Sequence, residues 1–193
     1  SFGPIIKLTV MKSTFTDTTA HTTEPSYKRL GLPAVWTAAE KDYELDSKVG
    51  AGSFGQVIKA RCRTTDLMVA VKLIENFADY DYDCVKVVRE VQLLRGIHHH
   101  SKHGTCSYFP ELIDAFFPEG ETEANLKSIF VVMEFEQTDL RKLLRLGIES
   151  RLEEDHIILI FYNLLCAIKY MHSLNIVHRD IKPSNILINK DCQ

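Results

Sequence analysis

The chain has 193 residues, 45% hydrophobic and 25% charged, with a formal net charge of −3. That is ordinary globular composition, enough for one large domain or two small lobes, and it leaves no global basic field aimed at nucleic acid or an anionic membrane. The five cysteines (Cys62, Cys84, Cys106, Cys166, Cys192) are scattered, odd in number and never paired as C-x-x-C, which argues against a zinc ribbon or a secreted disulfide framework.

Reduced thiols in a cytosolic or nuclear protein are therefore expected. No apolar run approaches the roughly 20 residues that span a bilayer. The opening "SFGPIIKLTVM" lacks the basic start and long apolar stretch of a signal peptide. It also lacks an initiator Met, for which Met11 is a candidate. Residues 11–35 are rich in Thr and Ser, carry Pro25 and Pro33, and predict a flexible leader. Trp36 and the segment after it are expected to pack on the first lobe, so that residues 1–42 form a leader and a packing extension.

From Tyr43 the pattern is β. The runs "YELDSKV", "QVIKARCR" and "LMVAVKLIE" are short, rich in β-branched residues and separated by turn signals, as antiparallel strands are. A helix is predicted from Asp83 to Arg95. Its apolar residues Cys84, Val87, Val88, Val91 and Leu94 recur every three or four positions, Asp79, Asp81 and Asp83 suit its N-terminal end, and Gly96 is its expected stop. Two more strands, "ELIDAFF" and "SIFVVMEF", flank a polar loop. A short helix is predicted to start near Thr138 or Asp139. A long one follows, from about Glu153 to Ser173, with Ile157, Ile160, Phe161, Leu164, Leu165, Ile168 and Met171 as a broad buried face. Strands first and helices afterwards predict an α+β lobe followed by a helical one.

Three motifs carry chemistry. The first is "VGAGSFGQV", where Gly50, Gly52 and Gly55 form G-x-G-x-x-G. Glycines let a backbone approach phosphates closely. A Walker loop fails, because Gln56 and Val57 stand where Lys and Ser/Thr are needed. A Rossmann loop has its acid in Glu75, but it needs a helix where "QVIKARCR" reads as a strand. A strand-loop-strand flap over ATP remains, beside a glycine hairpin with no ligand. The second motif is "VAVK", ending in Lys72. A lysine there can reach solvent from a strand edge. At this distance behind a glycine hairpin it can instead hold the α- and β-phosphates of ATP if a carboxylate fixes it. Glu90 is the candidate, unless it pairs locally with Lys86. The third motif is "HRDIKPSN". Asp180 can orient an attacking hydroxyl and accept its proton, Lys182 can sit near the moving γ-phosphate, and Asn185 can give Mg²⁺ an oxygen.

Taken together these motifs resemble a eukaryotic protein kinase from about Tyr43 to Gln193. Lys182, two residues after Asp180, is as in serine/threonine kinases. The segments "REVQLL", "QTDLRKLL" and "DHIILIFYNLLCAIKYMHSLNIVHRDIKPSNILIN" are most similar to the mitogen-activated protein kinases, with the cyclin-dependent group as the nearest alternative. The resemblance implies a kinase-like fold, with a β-rich N-lobe and hinge over residues 43–136 and part of a helical C-lobe over 137–193. It implies that Val49, Gly50, Ala51, Gly52, Ser53, Phe54, Gly55 and Val57 flank the nucleotide, with Ala70 on the adenine and Leu187 beneath it. Met133 would be the gatekeeper, Glu134 to Glu136 the hinge, and Asp139 a ribose contact. ATP and Mg²⁺ are the implied cofactors. Protein substrates and an upstream activating kinase are the implied partners of a monomer.

In the family a D-F-G segment, an activation loop and an A-P-E segment follow, and none of them occurs in these 193 residues. The chain is thus expected to be the first half of an active kinase. Its alternative is a truncated product that binds nucleotide or a partner without phosphorylating. The apolar face of the long helix would then lack its usual partners, and the isolated chain is expected to be poorly soluble. Near the middle, "HHHSKHGTC" groups His98, His99, His100, His103 and Cys106. Adjacent histidines cannot all face one ion and no acid is near, so a connecting segment is favoured over a metal site.

Overall fold

The computed structural model describes residues 24–52, 55–101, 108–121, 125–145 and 153–189. In chain order, α1 (Ser26–Arg29), a 3-10 turn (Ala34–Trp36) and α2 (Thr37–Glu40) precede the strands β1 (Tyr43–Gly52), β2 (Gly55–Cys62) and β3 (Met68–Ile74). Then come α3 (Asp81–Ser101), β4 (Leu112–Phe116), β5 (Ile129–Glu134), β6 (Thr138–Asp139), α4 (Leu140–Arg145), α5 (Glu154–Ser173), a second 3-10 turn (Pro183–Asn185) and β7 (Leu187–Ile188). The five long strands form one antiparallel sheet in the order β1-β2-β3-β5-β4. This is the predicted α+β, protein-kinase-like arrangement, with a β-rich lobe and one main helix before the helical part.

The sheet has two working faces because strand residues alternate in direction. On β3, Val69, Val71 and Leu73 point one way and are buried. They join Leu45, Ile58, Ala60, Phe130 and Val132 in one core, which Leu32, Trp36 and Ala39 of the N-terminal extension complete. The sheet is strongly curled around this core. Tyr43 and Phe116 lie on its two edge strands, β1 and β4, yet their rings stack 6.2 Å apart, and the Tyr43 hydroxyl donates to Asp114 Oδ2 at 3.2 Å. Sheet twist of a fixed hand makes this closure possible. Trp36 fills the hollow and is wholly buried. Burial of a side chain this large contributes about 1.5–3 kcal/mol or more.

The opposite face carries a second core, Ile74, Phe77, Val87, Ile129 and Val131, with Cys84, Val91, Leu112, Leu126 and Met133 packed against it. It seats α3 on the sheet. This helix differs from its prediction in two ways. Gly96 does not stop it, since a glycine ends a helix by taking a left-handed conformation and Gly96 takes none. The helix runs on to Ser101, with Ile97 buried one residue later. Val88 is exposed, because Cys84, Val87 and Val91 already define the packed stripe and Val88 lies a further 100° or so around the axis.

The predicted broad buried face of α5 is also corrected. Only Ile160 and Met171 are buried, while Ile157, Phe161 and Leu165 are exposed. Hydrophobic periodicity announces a face that can be covered, and among the described residues only part of this one is, with Leu164 and Ile168 half-buried. The short helix predicted near Thr138 begins at Leu140. Thr138 and Asp139 pair instead with β7, Asp139 opposite Leu187. Among the described residues no helix is long and apolar enough to cross a membrane.

Candidate active site

Antiparallel pairing decides which candidate residues meet. Lys72 on β3 is opposite Val57 on β2 and Val131 on β5. Two residues earlier on the same face, Ala70 is opposite Met133. Val57 is in turn opposite Gly50 on β1. One face of the sheet therefore gathers Val57, Ala70, Lys72 and Met133, with the glycine turn at its end. Val49, Gly50, Ala51 and Gly52 belong to β1 and Gly55 begins β2, whereas Ser53 and Phe54 lie outside the described residues.

Two of the glycines are glycine for different reasons. Gly55 has φ +112°, and a Cβ there would stand 1.8 Å from the carbonyl oxygen of Leu73. The sheet itself forbids a side chain at this position. A Cβ at Gly50 would meet open space, so nothing in the fold demands glycine there.

The lysine has found its acid. Lys72 Nζ lies 2.7 Å from Glu90 Oε1, with the Lys72 side chain 15% exposed. Sequence left Glu90 a choice between Lys72 and its helix neighbour Lys86. In the structure Lys86 pairs with Asp83 at 3.2 Å and lies over the Tyr82 ring. The second core seats α3 so that its partly buried Glu90 faces the sheet.

The hinge-side residues run on from β5. Glu134 is exposed and Glu136 half-buried. Burial, then the neighbouring charge of Glu134, holds the Glu136 carboxyl above its ordinary value. Between them, Phe135 lies under the ammonium of Lys59 at 5.5 Å. Sequence reasoning passed over this cation–π contact, since the two residues are 76 positions apart and only the sheet brings them together. Asp139 is buried and accepts from the Lys142 backbone N–H at 2.8 Å, so it caps α4. It also pairs with Leu187, which places that candidate beside the hinge segment.

The "HRDIKPSN" loop makes its own cluster. Lys182 Nζ is 2.8 Å from Asp180 Oδ2. The 3-10 turn Pro183–Asn185 folds Asn185 back, and its Nδ2 donates to Asp180 Oδ2 and to the Asp180 carbonyl, each at 2.9 Å. The Asp180 N–H donates to His178 Nδ1 at 3.2 Å. These bonds, Lys182 first and Asn185 after it, hold the Asp180 carboxyl below its ordinary value. Arg179 sits at φ +65°, a backbone region few non-glycine residues adopt. No pattern in the sequence signals this. The turn it makes is what lets residues 178, 180 and 185 converge.

Of the histidine group, His98 to His100 lie on the last turns of α3, and His103 and Cys106 lie outside the described residues. Among the described residues no cluster of His, Cys, Asp and Glu could hold a metal ion.

An ion-paired strand lysine, the glycine-rich ends of β1 and β2 beside it and an Asp-Lys-Asn loop together make up the candidate site. The protein kinase domain family matches residues 43–193, and the chain belongs to it. Within the family the similarity is to the mitogen-activated serine/threonine group. The chain is 32% identical over 158 residues to mitogen-activated protein kinase SLT2/MPK1 of Saccharomyces cerevisiae, covering 81% of this chain and 31% of that protein. It is 34% identical over 148 residues to mitogen-activated protein kinase p38a of Drosophila melanogaster (75% and 37%), and 34% identical over 154 residues to mitogen-activated protein kinase 17 of Arabidopsis thaliana (78% and 29%). The chain spans about a third of the length of these curated relatives.

Proposed function

We propose that this chain carries the ATP site and the catalytic loop of a kinase that transfers the γ-phosphoryl group of ATP to serine or threonine in proteins, in mitogen-activated-kinase-like signalling. The observation that carries the reading is the 2.7 Å pair between Lys72 and Glu90. A lysine this enclosed keeps a fixed direction, and fixed positive charge is what phosphoryl transfer needs, since the reaction is mostly positioning and charge stabilisation. In this reading Lys72 binds the α- and β-phosphates and Glu90 aims it. Gly50 to Gly55 close over the phosphates. Val57, Ala70 and Leu187 enclose the adenine, Met133 limits the pocket behind it, Glu134 to Glu136 offer backbone groups to its edge, and Asp139 is left to the ribose.

Asp180 orients the attacking hydroxyl. Its lowered basicity makes it a better acceptor of a hydrogen bond than of a free proton, so proton transfer belongs late, as the oxygen becomes attached to phosphorus. Lys182 already lies against Asp180 and can follow the γ-phosphate. Asn185 commits its Nδ2 to Asp180, which presents the amide oxygen as a ligand for a hard cation. When bound, Mg²⁺ supplies charge neutralisation on the phosphates. Protein substrates, an upstream activating kinase, monomeric behaviour and a cytoplasmic or nuclear location belong to the same proposal.

In the full-length protein, Lys72→Met and Asp180→Ala are each expected to abolish phosphate transfer to protein. Full activity in either variant overturns the role given to that residue.

A further inference from the structure

The hollow face of the sheet holds a row of aromatic rings that the phosphate-transfer reading does not use. Trp36 meets Phe130 edge-on, ring centroids 5.2 Å apart at 73°. Phe130 stacks on Phe116 at 5.0 Å, and Phe116 on Tyr43 at 6.2 Å. The row starts in the N-terminal extension, crosses β5 and β4, and ends at the first residue of β1. Those strands also lead to the candidate nucleotide cleft, the other face that carries Val57, Ala70, Lys72 and Met133. β1 runs into the glycine turn. On β5, Phe130 is followed by Val131, the cross-strand partner of Lys72, and three residues later by Met133.

The extension is tied down at several points around the ring row. The Glu40 carboxylate accepts from the Ser26 hydroxyl at 2.5 Å and the Tyr27 N–H at 2.7 Å, which locks α1 to α2. Arg29 Nη2 donates to the Leu45 carbonyl of β1 at 3.1 Å. The Arg63 backbone N–H donates to the Asp42 carbonyl at 2.9 Å, and Arg63 Nε to the Glu40 carbonyl at 3.2 Å. Lys41 is ion-paired with Glu119, in the loop after β4. The strap thus holds β1, the turn after β2 and the β4 side at once.

We infer that Trp36 is a positioning residue for the nucleotide. It sets the curl of the sheet, and the curl sets the spacing between the glycine turn and the cleft end of β5. A close-packed interior transmits such displacements instead of absorbing them. No residue of the core around Trp36 is assigned to the nucleotide, so its effect passes through Phe130 and the strands. The inference rests on the reading of the cleft as a nucleotide site.

The test compares nucleotide Kd, KM for ATP and kcat in the full-length protein with Trp36→Ala, Trp36→Phe and Glu40→Gln. Trp36→Ala is expected to raise Kd and KM for ATP about tenfold with kcat changed less than about threefold, the split produced by a displaced binding surface. Trp36→Phe keeps the ring contact with Phe130 and drops an indole N–H that has no partner among the described residues, so it restores near-wild-type binding. Glu40→Gln loosens the strap, seen as faster amide exchange over residues 25–41, and weakens nucleotide binding to an intermediate degree. Folded Trp36→Ala with wild-type Kd overturns the inference. Should Trp36→Ala fail to fold, Glu40→Gln with a loosened strap and unchanged Kd overturns it equally. Loss of nucleotide binding in the unaltered protein would instead bring down the cleft reading itself.

Discussion

The two charged clusters of this chain are held in opposite ways. Lys72 and Glu90 lie on elements packed by a core on each side of the sheet, and neither residue is near the other in sequence. Asp180, Lys182 and Asn185 lie within six residues of one another, and the side chains of Asp180 and Lys182 are more than half exposed. The first pair depends on the tertiary fold. The second is a local device, a turn whose own hydrogen bonds shape it. Damage to packing should therefore reach Lys72 and spare the loop.

The largest test of that contrast is Phe130→Ala. It removes the central ring of the hollow core and is expected to cost about 3–5 kcal/mol in a denaturant melt. A change below 1 kcal/mol would mean that the ring row is not what holds the sheet. Next in size is Gly55→Ala, which forces a Cβ against the Leu73 carbonyl and should cost more than about 2 kcal/mol. Its counterpart Gly50→Ala should leave the melting temperature in place and weaken only nucleotide binding. Equal losses of stability in the two would erase the distinction between a glycine the fold requires and one a ligand requires.

A smaller effect concerns Asp114, whose carboxyl is held above its ordinary value by burial. The native state then binds the proton more tightly than the unfolded chain. Stability from this group is greatest in acid and is lost as pH rises from about the ordinary aspartate value of 3.8 through the raised native one. Asp114→Asn should therefore raise the melting temperature at pH 7 and leave it nearly unchanged at pH 3. The Tyr43 hydroxyl, pushed up by burial and by the Asp114 charge, stays protonated throughout and can donate to the amide. A stabilisation that does not vary with pH would count against a buried carboxylate as its source. The smallest effect belongs to α5. Phe161, 59% exposed, should tolerate Phe161→Ser within about 0.5 kcal/mol. Self-association of the 193-residue chain, read by light scattering, should fall. A large loss of stability would show that this face is packed in solution.

Short-range motifs were legible without coordinates. The spacing of Gly50, Gly52 and Gly55, the strand ending in Lys72 and the run from His178 to Asn185 each stand out within a few residues, because the members of each motif are neighbours in the chain. Strand composition marked the segment that carries Ala70 and Lys72 as a strand, and helix periodicity placed Val87 and Val91 on one face, because such patterns follow from fixed backbone geometry. Tertiary structure alone decided the rest. It chose Lys72 over Lys86 for Glu90, carried α3 past Gly96, set Lys59 on Phe135, left much of the apolar face of α5 bare and plugged the curled sheet with Trp36. Each of these depends on which surfaces meet. A sequence states that a face is apolar or a side chain charged; the free energy of covering or pairing it belongs to the partner, which the fold brings from far along the chain.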